Sequence, residues 1–327
     1  VDSPADIRLI IERANQTGAC RVLPTAMLTQ GGKGSHLSEM AALHEAGCVA
    51  LAQGNRPFSS LEVELNALKY AATLGLLVIL DPEARDFSGG CAHAGEVGAG
   101  LGLSLNSPLS ETLGLGADID LVANTGVQAH FSRITTKVGV DRVRQAKAQG
   151  LSITADVTIG HLLFNETALL DLDPNFHLDR PLRTAEDQKA LIEGIMDGTI
   201  DMIVTDHSPH ESGAKLAPFP ETERGMSSFD VAMCLLIELE KTQGLSFDLS
   251  LNAMTRHPAK LLGLKDSGMI DIGKRADCVL FDPNTETQFD ESNWTSAGRN
   301  SPWINTRLPG KVASVWVNGE THPAHLL

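Results

Sequence analysis

Positive charge is what this chain has too little of: 26 lysines and arginines face 41 aspartates and glutamates, a formal net charge of −15. That balance argues against nucleic acid and acidic membrane surfaces as partners, since both demand positive surface. Disulfide chemistry is missing as well. The five cysteines (Cys20, Cys48, Cys91, Cys234 and Cys278) are odd in number, scattered and without CxxC spacing. They read as reduced core thiols, not as a disulfide framework or a zinc knuckle. No apolar run approaches the length of a membrane span, and no signal peptide opens the sequence, so a cytoplasmic protein is expected.

What is present suits one large α/β domain with a small appendage, because 327 residues can bury a large core. Aromatics are scarce, and 30 glycines fit many short strand–helix turns. Pro4 to Ala14 has helical spacing behind Ser3, and Gly18 ends it before a strand at Cys20 to Leu23. Helices follow at Leu37 to Ala46 and Leu61 to Leu74, with strands at Cys48 to Ala52 and Leu76 to Leu80. Phe87 to Gly102 is glycine-rich and irregular, which marks a functional loop or a partner surface. Ser110 to Thr125 is weakly helical at best. Strands at Gln128 to Ile134 and Ser152 to Val157 enclose a helix at Val138 to Gln149. Further helices are predicted at Leu162 to Leu170, from Thr184 to Met196, from Phe229 to Lys241, and in two pieces from Leu249 to Leu262.

The chain is organised around Gly198 to His210. Ile200 to Thr205 has the pattern of a buried parallel strand, and it ends abruptly in Asp206, His207, Ser208, Pro209 and His210. Polar side chains at the C-terminal tip of such a strand point to where ligands bind. An acid and two histidines there could supply a metal ligand, a general base and a substrate contact. The plain structural alternative is that Asp206 caps the next helix and the histidines satisfy backbone groups. At least six strand–helix units predict a closed eight-stranded α/β barrel over residues 1–267. After Gly268 the pattern becomes antiparallel, with strands at Asp277 to Asp282 and Val312 to Gly319. Turns are expected at Asp282-Pro283-Asn284 and at Val317-Asn318-Gly319-Glu320. Those strands need partners, and the reading favoured is that an N-terminal segment is absent from this sequence.

These residues carry a family resemblance. Thr205-Asp206-His207-Ser208-Pro209-His210, Pro181-Leu182-Arg183-Thr184, Pro218-Phe219, Gly225-Met226, Trp294 to Pro302 and the run from Gly273 to Pro283 resemble a dihydroorotase of the amidohydrolase superfamily. The resemblance covers nearly the whole chain. It implies a distorted TIM (β/α)8 barrel with a small β-sandwich appendage, the latter including residues 268–327. In that family a metal pair activates a bridging hydroxide, which attacks a cyclic amide carbonyl while an aspartate relays the proton.

Position by position, the ligand set departs from the family pattern. No HxH pair occurs. Gln53 stands where the family has a metal-binding carboxylate, and an uncharged amide is a poor ligand for a divalent pair. Arg133 replaces a histidine, and arginine cannot give a lone pair to a metal. Gly160 replaces the first histidine of a pair, leaving His161 as a neighbour that is not a ligand. Thr25 and Asp179 replace two substrate-binding asparagines. Asp206 and His210 persist as vestiges, and an Arg133–Asp206 ion pair is expected in the volume of the metals.

Three readings follow. The first is an inactive homologue without a metal cofactor, kept as a structural subunit for the catalytic chain of aspartate transcarbamoylase in pyrimidine biosynthesis, itself forming a dimer. The second is an active dihydroorotase, for which zinc would be required. The third is a binding module that keeps the pocket without hydrolysis. The lost ligands and intact barrel skeleton favour the first.

Overall fold

The computed structural model of the chain describes residues 1–322. Ser3 starts α1 (Pro4–Thr17): its hydroxyl accepts from the Asp6 N–H at 3.2 Å, and Gly18 closes the helix with φ 68°. The first strand is β1 (Thr25–Met27), not Cys20 to Leu23. Those earlier residues form a connector in which Arg21 is drawn to Asp277 and Asn318 of the C-terminal region. Next come α2 (Met40–Glu45), β2 (Ala50–Ala52), α3 (Leu61–Thr73) and β3 (Val78–Leu80).

Phe87 to Gly102 is not an irregular loop. It contains β4 (Ala92–His93) and α4 (Glu96–Gly100), and β4 pairs in parallel with β5 (Leu105–Asn106). The glycines there mark close approach of backbones. A Cβ on Gly90 would lie 2.1 Å from the Leu105 carbonyl carbon, and one on Gly98 would lie 2.5 Å from the His93 oxygen. Residues 109–125 form a complete helix, α5 (Leu109–Thr125). Its buried face mixes Leu115 and Val122 with Ser110, Glu111, Thr112 and Asp118, so the sequence shows only a faint apolar stripe.

The chain continues through β6 (Ala129–Phe131), α6 (Lys137–Ala148), β7 (Ile153–Thr158) and α7 (Ile159–Leu163). The helix expected at Leu162 to Leu170 is split: α7 ends at Leu163 where Phe164 turns extended, and Asn165 caps a separate 3-10 turn over Glu166–Leu169. A capping box of Thr184 and Asp187 starts α8 (Ala185–Met196), as the sequence indicates. Then follow β8 (Met202–Val204), α9 (Ala232–Gln243), α10 (Phe247–Met254) and α11 (Arg256–Leu261).

The strands pair in the order β1-β2-β3-β6-β7-β8, all parallel, with helices as the crossovers. Past β8, one parallel bridge joins His207 to Met226. This is the wall of the barrel among the described residues. Its core includes Phe131, Leu28, Leu51, Ile134 and Ile159, all fully buried. Parallel pairing puts every strand's C-terminal tip on one face, and that fixes where the site lies.

The C-terminal antiparallel sheet consists of β9 (Cys278–Gln288), β10 (Arg307–Val317) and β11 (Glu320–His322). Asn318 and Gly319, with φ 53° and 83°, make the expected tight turn. Asp282-Pro283-Asn284 does not reverse the chain. Its Asp282 carboxylate accepts from Asn284 N–H and the Thr285 hydroxyl, which makes a register shift within β9 instead. Residues 289–306 leave this sheet and bring Phe289, Trp294 and Trp303 into the barrel core. Of the appendage expected at 268–327, residues 323–327 lie outside the described residues.

Candidate functional site at the strand ends

Five of the six wall strands deliver a polar residue to the same face within two positions of their ends. Thr29 follows β1, Gln53 follows β2, Asp81 follows β3, Arg133 follows β6, and Asp206 follows β8. The Thr29 hydroxyl donates to Gln53 Oε1 at 3.0 Å, and Gln53 Nε2 donates to the Gly32 carbonyl at 3.3 Å. Arg133 has φ 59° and Asp206 has φ 47°, a conformation that L residues adopt only when their surroundings impose it. For Arg133 the constraint is visible. Asp156 on β7 accepts from the Arg133 N–H at 2.7 Å, the Ser132 hydroxyl at 3.0 Å and His130 Nε2 at 2.8 Å. Beyond the turn, Glu111 of α5 accepts from the N–H and hydroxyl of both Thr135 and Thr136 at 2.6 to 3.0 Å.

So held, the Arg133 guanidinium faces three carboxylates. It bonds to Asp81, donates to Asp179 at 3.0 Å and lies 3.7 Å from Asp206. The expected pair with Asp206 is present, but as the loosest of the three. Arg180 supports the cluster by donating to Asp81 at 2.7 Å and approaching Glu83 at 3.4 Å. Burial alone would raise the Asp81 carboxyl, yet the guanidiniums of Arg180 and Arg133 hold it below its ordinary range. At Asp206 burial wins over the more distant Arg133, and the carboxyl titrates above its usual value. The surrounding carboxylates in turn raise Arg133 despite its burial, so it stays charged.

The other expected site residues are scattered. Thr25 is exposed at the opposite end of β1, paired with Ala50, and lies away from the strand tips. Gly160 sits in α7, where a Cβ would meet nothing closer than the Thr158 hydroxyl at 3.7 Å. His161 is fully buried beside it, bonded to that hydroxyl at 2.7 Å, and burial lowers it to about 4. His210 donates through Nε2 to the Arg224 carbonyl at 2.9 Å, and its N–H bonds to Asn300 at 2.7 Å. It anchors a loop, as the plain structural alternative holds. His207 does the same, accepting from the Ser228 and Phe229 N–H groups and stacking on Phe229 at 3.9 Å. Sequence reading missed Asp81, Arg180, Asp156 and His130 as members of the cluster. Asp81 alone carried a signal, being the acid just after a predicted strand.

A divalent metal pair does not fit this donor set. Its positions carry an amide, a guanidinium and a glycine, and the nearby carboxylates already hold arginines. Among the described residues no three His, Cys, Asp or Glu side chains converge as a metal site.

Comparison with known proteins places this geometry. The amidohydrolase family model matches residues 93–322. The chain belongs to the amidohydrolase family. Within it, the chain is 39% identical over 324 residues to a dihydroorotase-like protein of Pseudomonas aeruginosa, spanning 98% of this chain and 76% of that one. A dihydroorotase-like protein of Pseudomonas putida is 37% identical, with 99% and 76% covered. A dihydroorotase of Caldanaerobacter subterraneus is 34% identical, with 98% and 74% covered. Among solved structures, the L-hydantoinase (dihydropyrimidinase) of Arthrobacter aurescens superposes with a TM-score of 0.81 at 19% identity, over 96% of this chain and 73% of that one. That likeness concerns the fold, a TIM barrel. The protein is thus a dihydroorotase-like amidohydrolase. None of its described helices is long and apolar enough to cross a membrane.

Proposed function

We propose that this amidohydrolase is a non-catalytic, cytoplasmic subunit that assembles with the catalytic chain of aspartate transcarbamoylase in pyrimidine biosynthesis. The observation that carries the reading is the Arg133 guanidinium, ion-paired to Asp81 and Asp179 among the strand tips. A cation fixed there by covalent structure takes the electrostatic role of a metal without its Lewis acidity. A barrel relieved of chemistry is retained for its surface. The folded segment from Phe87 to Gly102 is the contact proposed, and trimers of transferase joined by dimers of this chain would follow from combining three-fold and two-fold axes.

The test is to produce the transferase from the same source with and without this chain, and to assay metal content and dihydroorotate hydrolysis. Co-elution in one complex, without stoichiometric zinc or turnover, is the expected result. A transferase that assembles and works equally well alone, and never co-elutes, would sink the scaffold role. The second reading, an active zinc-dependent dihydroorotase, draws on the relatives bearing that name and on the retention of Asp206 and His210. Turnover with bound zinc would establish it instead.

A further inference from the structure

The loop that follows His210 is held by a small core of its own. Phe219 packs there with Cys91, Ala92 and Leu169, in a cluster distinct from the main core of the barrel. Two 3-10 turns shape the loop, Ser212–Lys215 and Phe219–Glu221. Its ties converge on His177, which is 1% exposed. The His177 ring packs against Phe219 with centroids 5.0 Å apart. The His177 carbonyl accepts from the Gly225 N–H at 2.8 Å and from Lys215 Nζ at 3.4 Å. The Thr222 hydroxyl gives its one hydrogen to the Phe219 carbonyl at 2.9 Å, so His177 Nδ1 must donate to Thr222 Oγ1 at 2.8 Å. Nε2 is then a bare lone pair, buried and without a partner among the described residues.

We propose that His177 is an acid-sensitive clasp, whose protonation releases the loop from Glu211 to Gly225 while the barrel stays folded. With Nδ1 already carrying a hydrogen, a further proton can go only to Nε2. It creates a buried N–H and a buried charge, neither with a counterpart. The charges facing the ring oppose it as well, since both are cations, Arg224 and Lys215. Arg224 reaches the Gly89 carbonyl at 3.2 Å, and Lys215 Nζ reaches the Glu223 carbonyl at 2.6 Å. The nearby acids Asp173 and Glu223 act on Lys215, and Asp173 also caps its own turn by accepting from the Asn175 N–H at 2.9 Å. Burial, Arg224 and Lys215 together lower His177 to about 4. In the open loop the ring regains the ordinary histidine value, so closure is at full strength above about pH 6.5 and weakens as pH falls toward 4. The loop yields before the barrel because its core is small and its other ties are single hydrogen bonds.

Hydrogen exchange of the full chain at pH 7 and pH 5, corrected for the intrinsic effect of pH on exchange, tests this. The Glu223 and Gly225 N–H groups report on the loop, because they are bonded to the Ala214 and His177 carbonyls at 3.0 and 2.8 Å. Their opening should become about twentyfold more frequent at pH 5, the ratio that follows from values of about 4 closed and about 6.5 open. Helix α8 should stay at least about tenfold better protected than the loop at both pH values. His177→Phe keeps a ring against Phe219 and takes no proton, and His177→Asn keeps a donor for Thr222. Either change should abolish the twentyfold rise. The proposal fails if the unmodified loop opens equally often at both pH values, if it opens only in step with α8, or if the folded variants keep the rise. Should neither variant fold, the comparison of loop and α8 in the unmodified chain still decides.

Discussion

The guanidinium of Arg133 and the carboxylate of Asp81 form an ion pair that joins the tips of β6 and β3, two adjacent strands of the barrel wall. Only 16% and 5% of the two side chains is exposed, so the pair is largely shielded from salt. Replacing Arg133 by methionine leaves three carboxylates without their shared cation. The expected cost is about 3–5 kcal/mol, the usual result of removing one partner from a buried pair. Arg133→Lys should cost less, because a charge remains while the fork is lost. Urea unfolding of both variants measures the difference. Equal midpoints for Arg133→Met and the unmodified chain would refute the account.

Acid should destabilise the fold in two stages. His161 and His177 are each lowered to about 4 by burial, so the unfolded chain takes up their protons first as pH falls below the ordinary histidine range. Their contribution is therefore complete above about pH 6.5 and is lost as pH falls toward 4. Asp81, held below its normal range, contributes above the ordinary carboxylate pKa and loses that contribution only in stronger acid. Melting temperatures recorded from pH 7 to pH 4 check the first stage, and His161→Gln should flatten part of the slope.

Gly160 is buried, yet the Cβ of a histidine put back there makes only an ordinary contact at 3.7 Å. The variant should fold, bind no zinc tightly and hydrolyse no dihydroorotate. One imidazole cannot assemble a site whose other positions hold Gln53 and Arg133. Elemental analysis of the purified variant gives the answer, and about two zinc ions per chain would contradict it.

Asn300 holds the strap of residues 289–306 to the loop carrying the vestigial histidine. Its amide donates to the Ser208 and Gly225 carbonyls at 2.9 and 3.1 Å, and its oxygen accepts from the His210 N–H at 2.7 Å. Asn300→Ala should cost about 2–4 kcal/mol, because one buried and two half-buried backbone groups lose a partner. Calorimetric unfolding measures it. A loss within about 0.5 kcal/mol, typical of surface changes, would show that the strap is not anchored there.

Asp206 was legible because it sits just past an apolar strand, where chain direction aims it at the common face. Gln53 and Arg133 came from the family resemblance, Arg133 from within an expected strand that in fact ends at Phe131. The sequence misled at Thr25 because β1 starts later than the apolar run suggests, and a three-residue strand carries no periodicity to correct the error. Asp81 and Arg180 are 99 residues apart, and nothing local announces that they meet. Glycines misled in the other direction. In Phe87 to Gly102 they permit close backbone packing, yet by composition they read as a loop.

The ionic cluster also has a place in time. Arg133 reaches 52 residues back to Asp81 and 46 forward to Asp179, while Arg180 reaches 99 back. Contacts of such sequence separation close only after the capped helices and neighbouring strand–helix units have formed. The strand tips are therefore expected to form late, after the folding transition state. Weakening them should leave the refolding rate almost unchanged and appear as faster unfolding, so that Arg133 acts as a latch on a barrel already built.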